Sequence, residues 1–194
     1  MWEGPHSETL PFNYASIALK QVMTSIERLP GGQLLDTGPV YKDNINYFSS
    51  KVRRLYVCDL YRLLDKDRRT GFPPGRYWRH LDYPDNCFDA ILLWDLIDRL
   101  NDPEAYSLVK RCYTMTKPGG LVILFTFGKQ VSPVGRDSCI VRDDCQVFFR
   151  DLAFSNLPIQ YRQNRDILHI LTPFVTVKSL IYRNGVREFL FQKT

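Results

Sequence analysis

Gly38 and Asp59 have the types and the separation that an edge for binding a nucleoside needs. Asp59 follows Gly38 by 21 residues. Each closes a short apolar run, Gln33-Leu-Leu-Asp-Thr-Gly38 and Leu55-Tyr-Val-Cys-Asp59. An acid at the end of the second strand of such a unit receives ribose hydroxyls. A carboxylate suits that task because it accepts two hydrogen bonds at once. The competing assignment is an acid that caps the helix starting at Leu60. Asp36 sits at the same edge, as a turn former or as a second acceptor. Asp95 and Asp98 follow a third apolar run, residues 88–94. Asp95 is the candidate general base for an acceptor group that must lose a proton; the alternative is that both are polar positions on a helical turn. His80 and His169 lack metal-ligand spacing, and the five cysteines form no CxxC pair. No metal site and no disulfide scaffold is expected. Cys139 and Cys145 could face each other across a hairpin, as two reduced side chains.

Those residues need strands to hold them at one edge. The pattern predicts a helix over 13–29, stopped by Pro30-Gly31-Gly32, then a strand over 33–36. Asp43 is placed to cap a short helix through Phe48. A strand over 55–58 leads to a helix over 60–67 and a loop over 70–75. Residues 76–81 form a weak strand candidate. Residues 88–94 (FDAILLW) read as a central parallel strand, covered on both faces. A helix begins at Asp102 with Pro103 at its first position and ends at Lys117-Pro-Gly-Gly120. Residues 121–127 (LVILFTF) form another buried strand. Beyond Gly128 come a hairpin around Asp143-Asp144, a short helix over 166–171, and two strands joined by Asn184-Gly185. Helix and strand alternate through the first two thirds, so the class is α/β, a mostly parallel sheet with an antiparallel end.

At 194 residues the chain fits one domain with a sizeable core. It is 44% hydrophobic and 24% charged, which argues against disorder. The start, MWEGPHSETLPF, has no basic region followed by an apolar run, and no stretch reaches the roughly 18 apolar residues of a membrane span. A soluble, cytoplasmic protein without a membrane partner is expected, with His6 in a mobile tail. The net charge of +5 is spread out, so nucleic acid is only weakly supported as a partner.

Four stretches together resemble the class I S-adenosylmethionine-dependent methyltransferases of the type 11 kind. They are Gln33–Gly38, Tyr56-Val-Cys-Asp59, Tyr83-Pro-Asp-Asn-Cys-Phe-Asp-Ala-Ile-Leu-Leu-Trp-Asp95, and Lys117-Pro-Gly-Gly-Leu-Val-Ile-Leu124. The resemblance implies a Rossmann-like, seven-stranded sheet with helices on both faces and an antiparallel C-terminal hairpin. It implies S-adenosylmethionine as cofactor. Asp36 would face its methionine ammonium, Gly38 would admit its backbone-close portion, and Asp59 would take the ribose. Leu60, next in the chain, and Trp94, at the fourth strand's end, join this set. Tyr77 and Trp78 fall where the family meets the adenine, and could stack on it or be core aromatics. Residues 129–174 match nothing in the family, and are an insertion or a region for substrate or partner.

The loop departs from the family's GxGxG pattern. Val40 and Lys42 stand where the second and third glycines would be, and Pro39 removes a backbone donor. Two readings follow. One is a methyltransferase acting on a small-molecule acceptor. The other is a catalytically inactive methyltransferase-like module that binds or scaffolds a protein partner through the aromatic hairpin at Phe148-Phe149. Apolar terminal strands are compatible with a homodimer. An NAD-type fingerprint would need glycines at 40 and 43, where Val40 and Asp43 stand.

Overall fold

The computed structural model describes residues 13–128, 138–150 and 157–194; the starting segment with His6 and parts of 129–174 lie outside the described residues. In chain order the elements are β1 (Asn13–Ala15), α1 (Ile17–Glu27), β2 (Gln33–Asp36), α2 (Lys42–Ser49), β3 (Arg54–Val57), α3 (Leu60–Arg69), β4 (Phe88–Trp94), α4 (Asp102–Met115), β5 (Thr116–Phe127), β6 (Ser138–Arg142), β7 (Gln146–Arg150), α5 (Asn164–Ile170), β8 (Val175–Ile181) and β9 (Val186–Gln192). Six strands form the main sheet in the order β3-β2-β4-β5-β9-β8. The first four are parallel; β9 and β8 run antiparallel to them. A second, three-stranded antiparallel sheet has the order β1-β7-β6.

The expected seven-stranded sheet has six strands. Residues 76–81 are no strand: Pro74–His80 coil as a 3-10 helix with proline in its first turn. Pro73 and Pro74 have no N–H to give a ladder, so the chain passes the sheet edge without pairing. The helix expected over 13–29 divides in two. Residues 13–15 pair with β7, a contact remote in sequence, and α1 begins only after Ser16, whose hydroxyl accepts from Leu19 N at 2.9 Å. Asp43 does not cap α2. The helix starts one residue earlier with Tyr41 as its uncapped flank, and Asp43 lies in the first turn, where a carboxylate complements the helix dipole. Residues 117–120 belong to β5, and Gly119 takes a left-handed φ of 78° there.

The C-terminal hairpin turns at Asn184-Gly185, with Gly185 at φ 83°. Cys139 and Cys145 are both buried and free, Cys145 lying in the short turn between β6 and β7. Among the described residues no helix is long and apolar enough to cross a membrane.

Aromatic rings and one acid bind the small sheet to the large one. Tyr14 on β1 stacks on Phe149 of β7 and meets Phe125 of β5 edge-on, at centroid distances of 5.9 and 6.2 Å. Phe127 and Phe149 close the same seam at 5.2 Å. Glu188 on β9 is fully buried and accepts from Tyr14 Oη at 2.8 Å, Tyr182 Oη at 2.7 Å and Ala18 N at 3.1 Å. Asn44 on α2 imitates a peptide group: its Nδ2 donates to Cys139 O and its Oδ1 accepts from Val141 N, at 2.8 and 2.7 Å. The inserted sheet is thereby fixed to the helix that follows the Gly38 loop. Replacing Glu188 by alanine strands two buried donors, Tyr14 Oη and Ala18 N, each costing about 1–3 kcal/mol, and a half-buried one, Tyr182 Oη. Glu188→Ala should lower the stability by at least about 2 kcal/mol, read from urea unfolding; a loss below the error of that measurement refutes the role given to this carboxylate.

Candidate active site

In an open parallel sheet, ligands gather beyond the carboxyl ends of the strands where strand order reverses. Here that point lies between β2 and β4. β2 leads through α2 to β3 on one side, while β4 pairs on the other. Asp36 ends β2, Asp59 follows β3, and Trp94 and Asp95 end β4. Backbone bonds hold the three ends level. Thr37 N and Oγ1 both donate to Leu92 O, Cys58 N donates to Asp36 O, and Leu60 N donates to Thr37 O.

Asp36 and Gly38 are in direct contact with Trp94. The indole Nε1 donates to Asp36 Oδ1 at 2.6 Å, and Gly38 N donates to the same oxygen at 2.9 Å. A Cβ added to Gly38 would lie 2.5 Å from Trp94 Nε1 and 2.7 Å from its Cδ1. The glycine that the loop keeps is therefore required by the indole lying against it. Gly38 does not occupy the left-handed region; close approach is its whole reason. Trp94 itself does, at φ 53°, and the β4–β5 register shifts between Leu92 and Trp94. Such an irregularity re-aims a side chain at a strand end, and the indole lands between the rings of Phe48 and Phe125. Burial pushes the Asp36 carboxyl up to about 6. The two N–H bonds from Trp94 and Gly38 pull it down in part, and the nearby Asp59 charge adds to the rise.

Asp59 does two jobs. Its Oδ1 accepts from Arg62 N at 2.9 Å as the N-cap of α3. Its Oδ2 accepts only a long bond, 3.4 Å, from Val40 N, and the residue is half-exposed. One oxygen thus keeps capacity for an incoming hydroxyl. Val40 points its side chain to solvent, 56% exposed, and does not block the loop. Leu60 is buried in the core. Tyr77 and Trp78 lie on the 3-10 turn, buried and edge-on to each other at 6.3 Å. They pack among the core residues, and no hydrogen bond joins them to Asp36 or Asp59.

Asp95 is held rather than free. Tyr61 Oη donates to its Oδ1 at 2.6 Å, and Arg99 Nε and Nη2 donate to its Oδ2 at 2.9 and 2.7 Å. All three residues are buried. Arg99 stands four residues after Asp95, a spacing visible in the sequence. Tyr61 is reached only through the fold. Asp98 is fully buried and accepts from Phe127 N at 3.2 Å through Oδ2, while its Oδ1 has no partner among the described residues. Burial pushes Asp98 up to about 7; the Phe127 N–H lowers it, the Asp95 charge raises it further, and the Arg187 and Arg162 guanidiniums lower it.

Residues 35–124 match a family described as a methyltransferase domain. The fold is shared with a S-adenosylmethionine-dependent methyltransferase from Clostridium acetobutylicum, at 14% identity and a TM-score of 0.59, covering 91% of this chain and 90% of that one. A structure described as a type 11 methyltransferase from Sulfolobus solfataricus is similar at 17% identity and a TM-score of 0.57, covering 93% and 95%. The 1,6-didemethyltoxoflavin-N1-methyltransferase of Burkholderia thailandensis, with bound 1,6-didemethyltoxoflavin and S-adenosylhomocysteine, aligns at 15% identity and a TM-score of 0.51, covering 92% and 79%. No curated protein sequence matches the chain significantly. The family match covers somewhat less than half of the chain, and the solved structures show that it has the fold of the S-adenosylmethionine-dependent methyltransferases.

The buried Asp98 gives a pH dependence with a definite sign. Its folded value, about 7, lies above the ordinary carboxylate value of 3.8. Its contribution to stability is complete below pH 3.8 and is lost as pH rises through 7. Asp98→Asn should flatten the fall in melting temperature between pH 5 and pH 8 and should melt above the parent at about pH 8. Parallel thermal melts of the two proteins across that range decide it; superimposable profiles exclude the assignment.

Proposed function

We propose that this chain transfers a methyl group from S-adenosylmethionine to a small-molecule acceptor. The observation that carries the reading is the pair of acids at the carboxyl ends of adjacent parallel strands, Asp36 on β2 and Asp59 after β3, beside the point where strand order reverses. The donor set fits the cofactor's chemistry. Asp59 Oδ2 accepts ribose hydroxyls while Oδ1 stays on the helix cap. Asp36 offers a carboxylate to an ammonium. Leu60 and Trp94 border the place between them. When bound, the cofactor supplies an electrophilic methyl group.

The chain's own contribution to such a displacement is alignment and exclusion of water. Asp95 is in our reading a positioning residue: tied to Tyr61 and Arg99, it fixes the turn after β4 against which an acceptor would lie. An acceptor that already carries a lone pair then suits the site best, since the bonded Asp95 is not poised to remove a proton. We assign acceptor binding to residues 129–174, whose β6 strand is clamped to α2 by Asn44. The small acceptor seen with the Burkholderia thailandensis enzyme supports this substrate class. The five free cysteines suit a reducing cytoplasm.

Calorimetry with S-adenosylmethionine and S-adenosylhomocysteine tests the reading, with binding expected in the micromolar range. Asp59→Ser retains a good helix cap but offers a single hydroxyl to the ribose. It should weaken binding by about tenfold or more and leave the melting temperature nearly unchanged. Silence of the parent protein at millimolar ligand would instead leave an inactive scaffold module.

A further inference from the structure

Asp36 and Gly38 are the two groups by which the loop would meet a cofactor, and both are covered by one side chain of the same molecule. The Trp94 indole donates its N–H to Asp36, and its ring lies so close to Gly38 that no Cβ would fit between them. An incoming ammonium would compete with that N–H for the same carboxylate oxygen. A ligand that approaches the glycine backbone would compete with the ring for the same space. We propose, on the footing of the cofactor reading above, that Trp94 is a built-in occupant of the binding edge, and that a ligand gains the loop only by displacing its indole.

Three features of the residue suit displacement. It has a single hydrogen bond to break, to Asp36. It is the last residue of β4, just before the 3-10 turn Leu96–Arg99, and pairs with Leu124 only after a register shift. Its backbone is held in the left-handed region, at φ 53°, which a bulky side chain leaves with relief. The flanking rings of Phe48 and Phe125 hold the indole in place when the ligand is absent and line the space it vacates. Asp36 never stands without a donor, because the ligand takes over the oxygen that the indole releases.

Two variants and one resonance test this. Trp94→Phe keeps a ring between Phe48 and Phe125 but removes the N–H that holds Asp36; Trp94→Ala empties the space altogether. Both should bind S-adenosylhomocysteine more tightly than the parent protein by calorimetry, by about fivefold or more. In the parent, the indole 15N–H resonance that disappears in Trp94→Phe should shift and lose its hydrogen-exchange protection as ligand is added. If the parent and both variants bind with equal affinity, or the variants bind more weakly, and the indole resonance does not move, the gate is wrong while the cofactor site stands. If none of the three proteins binds, the cofactor reading fails and the gate fails with it. Binding by a variant in the absence of binding by the parent is the strongest form of the expected result.

Discussion

The bond from the Trp94 indole to Asp36 sets terms that much of the site obeys. A carboxylate buried at a strand end must have donors or give up its charge. Asp36 has two, one from the backbone of Gly38 and one from Trp94. To bring the second donor there, β4 shifts register against β5 and its last residue adopts a left-handed backbone. To receive the ring, residue 38 must have no side chain. To steady it, α2 and β5 each present a phenylalanine. The loop, the strand end and both flanking elements are thus mutually dependent through one short contact.

Trp94 and Asp95 are neighbours in sequence but serve opposite electrostatic solutions. Asp36, satisfied by neutral donors alone, is pushed up to about 6. Asp95 lies in a two-point ion pair with a buried guanidinium and also accepts from Tyr61. A buried pair of this kind gains little net stability, but removing one partner is costly, so it fixes geometry more than it adds strength. Asp98, three residues further on, has neither solution in full. One oxygen meets a backbone N–H, the other meets nothing among the described residues, and burial pushes its carboxyl up to about 7.

The central strands were legible because burial on both faces writes itself as an apolar run, as residues 88–94 and 121–127 show. The turn at Asn184-Gly185 was legible because only a few residue types accept its backbone. What escaped depended on partners far along the chain. Residues 13–15 form a strand only because β7 lies beside them. Residues 76–81 fail to form one because two prolines precede them, a local signal that the family pattern outweighed. In the site, the capping alternative for Asp59 was legible from its place before Leu60: it caps α3 with one oxygen, while the other accepts a long bond from Val40 N. The departures at Val40 and Lys42 gave no hint that Trp94 lies over Gly38. That contact joins residues 56 positions apart, and nothing local to the loop encodes it.

The three donors gathered by Glu188 have a consequence for how the chain is made. Tyr14 and Glu188 are 174 residues apart, and Ala18, in the first turn of α1, relies on the same carboxylate. While synthesis is under way, the opening strand and helix have no acceptor for these groups until β9 has left the ribosome. The central parallel strands, their helices and the rings of the seam can associate earlier, but the polar tie between the first described strand and the final one waits for β9. A nascent chain stalled before β9 would therefore leave the Tyr14 hydroxyl and Ala18 N without their shared acceptor, even where the rings of Tyr14, Phe125 and Phe149 have already met.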